Sequence, residues 1–149
     1  MFWKKKKKVE IPKQALILQT YLSGCTVLID GRTISPAAKA GIQVFVLGMT
    51  DMLRQAENLS WEECLAIYGS ILSQYKILPS QPVDAFVDSI GGFVSSNENI
   101  AKVMRMGAQS ITMYVSEHDA NAPIDLLSVV PFAENNQDSF QCLFLGFKQ

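Results

Sequence analysis

The chain has 149 residues, 48% of them hydrophobic and 18% charged, and its formal net charge is −1. That length supports one domain with its own core, and that composition excludes a disordered chain. The charge is uneven: Lys4, Lys5, Lys6, Lys7 and Lys8 sit together, and the remaining eight basic residues face fourteen acids, leaving a net −6. An acidic body repels phosphate, so the folded part is not expected to bind nucleic acid. No stretch approaches the ~20 apolar residues of a membrane-spanning helix.

Residues 1–10 read as a basic tail, and residues 11–149 as a single globular helical domain. Trp3 and Lys4 to Lys8 also form a candidate contact for a membrane surface or polyanion. Each lysine near anionic lipid contributes about 1 kcal/mol. Leu22-Ser23-Gly24-Cys25 matches the small-residue pattern before a lipid-modified cysteine. A signal needs an unbroken apolar region of about 7–15 residues, and Glu10, Pro12, Lys13, Gln14, Gln19 and Thr20 interrupt this one. Lipoprotein export at Cys25 is therefore the lesser alternative to a cytoplasmic chain.

Ile11, Ala15, Leu18, Leu22, Cys25 and Ile29 recur at helical spacing. Against that, Ser23-Gly24 precedes the β-rich run from Thr26 to Ile29. The pattern favours helix to about residue 22 and leaves the rest open between helix and hairpin. Ser35-Pro36 is a helix start, an N-cap with proline at the first position. The helix should run to about Asn58. It is apolar on most sides, which predicts a central, buried helix. Ala37, Gly41 and Gly48 supply small side chains for close approach of neighbours.

Ser60 and Glu63 form a capping box before the stripe Trp61, Cys64, Leu65, Tyr68, Ile71, Leu72 and Tyr75. This stripe places Trp61 inward and predicts a helix over 61–77, ended by Leu78-Pro79. A helix over 82–95 follows, with Gly91-Gly92 marking a kink or close packing. Ser95 and Glu98 form a second capping box for a helix over 96–116, with Ile100, Val103, Met104, Gly107, Ile111 and Val115 inward. Pro123 to Val130 reads as a short helix and 135–138 as a loop. Ser139 to Phe147 reads as a strand, apolar on both faces. The fold class is mainly α: a four- to five-helix orthogonal or bundle-like pack with a small β element from the C-terminal segment. A lone strand needs a partner for its backbone, either Thr26 to Asp30 or a second copy of the chain. Phe144, Leu145 and Phe147 are the candidate interface residues.

The residues give little sign of catalysis. His118, the sole histidine, stands at a helix end, and a cationic cap or surface role is the simpler reading. No GxSxG elbow, phosphate loop or GxGxxG is present. Asp119 to Val130 lacks the glycine and the terminal glutamate of a calcium loop. Asp84 and Asp88 lie one turn apart, but acid–base or metal chemistry needs partners, with Glu98 and Glu117 the nearest nominees. Cys25, Cys64 and Cys142 form no CxxC, and Cys64 and Cys142 read as buried thiols in a reducing compartment. No catalytic, metal or cofactor-binding residue is assigned, and no cofactor is expected. From Glu117 to Asp138 there are five acids and no lysine or arginine. The reading is a non-catalytic protein–protein interaction domain, homodimeric or the neutralising partner of another protein. The alternative is a peripheral membrane protein held by the Trp-Lys tail.

Overall fold

The computed structural model describes residues 13–23, 34–119 and 121–144. They form seven α-helices and no strand: α1 Lys13–Ser23, α2 Pro36–Glu57, α3 Trp61–Gln74, α4 Val83–Val94, α5 Glu98–Ser116, α6 Ile124–Asn135 and α7 Gln137–Phe144. The mainly helical class holds, with seven helices among the described residues where four or five were expected, because the C-terminal segment adds α6 and α7 instead of a strand.

The central position of α2 follows from its composition. Every residue from Ala40 to Thr50 is buried, and the helix packs chiefly on α5 and α6, with α1, α3 and α7 completing its surround. Its ends are set locally. Ser35 Oγ accepts the Ala38 N–H at 3.1 Å, and Pro36 takes the first turn. At the other end Asn58 adopts φ 55°, and the Leu59 N–H returns to the Arg54 carbonyl at 2.9 Å. Asparagine tolerates that left-handed turn better than most residues, so it closes the helix as glycine would. The predicted small-residue positions serve different neighbours. A Cβ on Gly41 would meet Ala133 Cβ of α6 at 2.9 Å, while one on Gly48 would meet the Met104 carbonyl of α5.

The capping box of α3 is formed: Ser60 Oγ accepts from the Glu63 N–H, and Glu63 Oε1 accepts from the Ser60 N–H at 2.8 Å. The helix ends three residues earlier than the proline signal implied. Lys76 turns at φ 60°, and the Ile77 N–H closes on the Leu72 carbonyl. Trp61 corrects the predicted stripe. It is 43% exposed, and the Arg54 guanidinium lies 5.0 Å from its ring centroid. At the first helical position the ring stacks outward on α2's end rather than descending into the core. Such a cation–π contact contributes about 0.5–1 kcal/mol. Trp61→Ala should therefore cost about 1 kcal/mol in urea denaturation, not the ~3–5 kcal/mol of a buried aromatic.

The second predicted capping box does not form. Ser95 is still helical and ends α4, while Asn97 is extended and caps α5. Its Oδ1 accepts from the Asn99 and Ile100 N–H groups, and its Nδ2 donates to the Ser139 carbonyl at 2.8 Å. Gly91 and Gly92 have no atom within 4 Å of a would-be Cβ, so they mark no close packing. Val115, expected inward, is exposed at α5's last turn. Helix α6 runs through Pro131 to Asn135, and a single turn residue, Asn136, separates it from α7.

The C-terminal strand is the main correction: residues 137–144 are helical. Phe140 and Leu143 are buried one turn apart, and Phe140 stacks edge-on against Phe132 of α6 at 6.4 Å. A short run apolar at both parities fits either a strand or a buried helix, and only a partner strand could decide. None exists among the described residues, and a helix satisfies its own backbone. The Ser139 carbonyl and hydroxyl are also fixed, by Asn97 and by Asn99. Thr26 to Asp30, Leu145 and Phe147 lie outside the described residues.

Candidate functional site

An open cleft of about 350 Å³ lies where the start of α2, the link after α3 and the end of α7 meet. Pro36, Lys39 and Gln43 recur at helical spacing and share one face of α2. Pro79 and Ser80 come from the link, Leu143 and Phe144 from α7, and Ile34 and Ser35 from the approach to α2. Phe144 is thus the one predicted interface residue that the structure places, and it stands at this cleft.

The cleft's polar groups are held from behind. Ser35 Oγ caps α2 and donates to Glu134 Oε2 at 2.8 Å, tying α6 to the helix start. Gln43 is 3% exposed. Its Nε2 donates to the Ile77 carbonyl at 2.7 Å, and its main-chain carbonyl accepts the Tyr68 hydroxyl at 2.7 Å. No described donor reaches its Oε1. Among the described residues no enclosed side-chain N or O lacks a partner. Lys39 carries the only charge on the lining and joins no ion pair among the described residues. The rest of the lining mixes the apolar Ile34, Pro36, Pro79 and Phe144 with the Ser80 hydroxyl, and Leu143 is buried behind it.

The other nominated residues do not converge. His118 is exposed in the turn after α5, at φ 52°. Asp84 accepts the Ala85 N–H at α4's first turn, and Asp88 is exposed. Glu98 pairs with Arg105 at 2.9 Å. Among the described residues no group of three His, Cys, Asp or Glu side chains is placed to hold a metal ion. No described helix is long and apolar enough to cross a membrane. Trp3, Lys4 to Lys8 and Cys25 lie outside the described residues. The cleft escaped sequence reasoning because Lys39, Gln43 and Phe144 are distant in the chain. A buried glutamine inside an apolar helix was the one available signal.

Cys64 and Cys142 are free thiols, the first buried and the second half-buried. Burial, helped by Asp51 and opposed by Arg54, pushes the Cys64 thiol up to about 11. Burial and the neighbouring Cys64 push the Tyr68 phenol in the same direction. Both groups hold in the folded chain a proton that the unfolded chain releases sooner. The Cys64 contribution to stability is full below the ordinary thiol pKa and is lost as pH rises toward about 11, and the Tyr68 contribution is full below the ordinary phenol pKa and is lost at higher pH. The thermal midpoint should therefore fall between about pH 8.5 and pH 11, and Cys64→Ala should make that fall shallower. Parallel profiles for the two proteins would show that the thiol ionises freely.

Comparison with protein-family models, curated proteins and solved structures finds no match.

Proposed function

We propose that this chain is a non-catalytic protein–protein interaction domain, homodimeric or the neutralising partner of another protein, docking through the cleft at Phe144. The observation that supports it is the cleft itself. It sets apolar side chains, Ile34 and Phe144 among them, beside hydroxyl and amide groups and Lys39, which joins no ion pair among the described residues, the mixture that protein and peptide sites use. The acidic residues Glu117, Asp119, Asp125, Glu134 and Asp138 fall in one stretch of sequence without a lysine or arginine, which favours a basic partner. Free thiols fit a reducing, cytoplasmic setting. The test places a photo-crosslinking amino acid at position 144 in cells, alongside light scattering of the purified chain. A single adduct expected at this position is either a second copy, matched by a dimer in scattering, or one other protein. No adduct at 144, with a monomer in solution, would sink the reading.

A membrane-surface role is the second reading, favoured by Trp3 and the five lysines at 4–8. Deleting residues 1–8 should abolish binding to anionic vesicles at low salt and leave the thermal midpoint unchanged. Vesicle binding that survives the deletion would remove this role from the tail.

A further inference from the structure

We draw no further inference here: the strongest candidate, the open groove of about 130 Å³ between α2 and α5 that Met52 and Met104 line and that continues through the Asp51–Arg54 pair to the exposed ring of Trp61, carries nothing because its charges pair within the chain and nothing in the structure shows what covers it.

Discussion

Gly48→Ala is expected to lower stability by ~4 kcal/mol or to prevent folding, and Gly107→Ala to do the same. The two glycines form one seam between α2 and α5. A Cβ at Gly48 would run into the Met104 carbonyl oxygen, and one at Gly107 into the Phe45 carbonyl oxygen. Both obstacles are backbone atoms inside helices, so no side-chain rotation makes room. The helices would have to separate, and the fully buried Phe45, Met49, Val103 and Ile100 would lose their fit. The control is the same substitution where space is open. Gly91→Ala and Gly92→Ala meet nothing within 4 Å. Each should raise stability by about 0.5–1 kcal/mol, because alanine is the better helix residue and constrains the unfolded chain. Urea denaturation of the four variants checks this. A Gly48→Ala protein within ~1 kcal/mol of the parent would mean that the helices do not approach backbone to backbone.

Local signals were readable where the cause was local. Ser35-Pro36 and the Ser60–Glu63 box start their helices through bonds between neighbours, and the apolar run from Ile42 to Leu53 declares a central helix by composition. The failures share a different origin. Residues 139–144 have no period to separate strand from helix, and the deciding contacts come from Asn97, Asn99 and Phe132, far away in sequence. Asn97 outcompetes Ser95 as a cap because its amide also anchors α7. Trp61 fits a stripe by spacing, yet the first turn of α3 overhangs the end of α2, and the ring finds Arg54 instead of the core. The reciprocal fit of Gly48 and Gly107 was visible only as two small residues without an assigned partner. The cleft was less legible still. Its lining includes one buried glutamine on α2, whose side chain is fixed by the Ile77 carbonyl and whose main-chain carbonyl takes the Tyr68 hydroxyl, both distant in sequence.

Tyr21→Ala should cost about 3–5 kcal/mol and remove helical signal as well as stability, whereas Tyr21→Phe should cost about 1 kcal/mol. Helix α1 has only 11 residues, and a helix that short is marginal on its own in water. It exists because Leu18, Tyr21 and Leu22 are fully buried against the rest of the chain. Tyr21 is the largest of these. Its ring meets Tyr114 edge-on at 5.2 Å and Phe45 at 6.4 Å, which joins α1 to α5 and α2. Its hydroxyl reaches Ser110 Oγ and the Ala122 carbonyl, and Ser110 Oγ reaches that carbonyl too. Two hydroxyl protons serve these three contacts, so one proton runs from Tyr21 to Ser110 or directly to the carbonyl. Removing the Tyr21 hydroxyl leaves Ser110 still bonded to Ala122, and the Ala122 carbonyl still accepts from the Asp125 N–H at 2.9 Å. Among the described residues no buried group is orphaned, which is why the phenylalanine variant should be mild. Truncating the ring instead leaves a cavity under α1 and undocks it, and an undocked α1 loses its helix. Far-UV circular dichroism should therefore show a lower helical signal for Tyr21→Ala at a temperature where both proteins remain folded. If Tyr21→Ala costs under ~1 kcal/mol, the ring does not hold α1 to the core, and the 11-residue helix must draw its order from elsewhere.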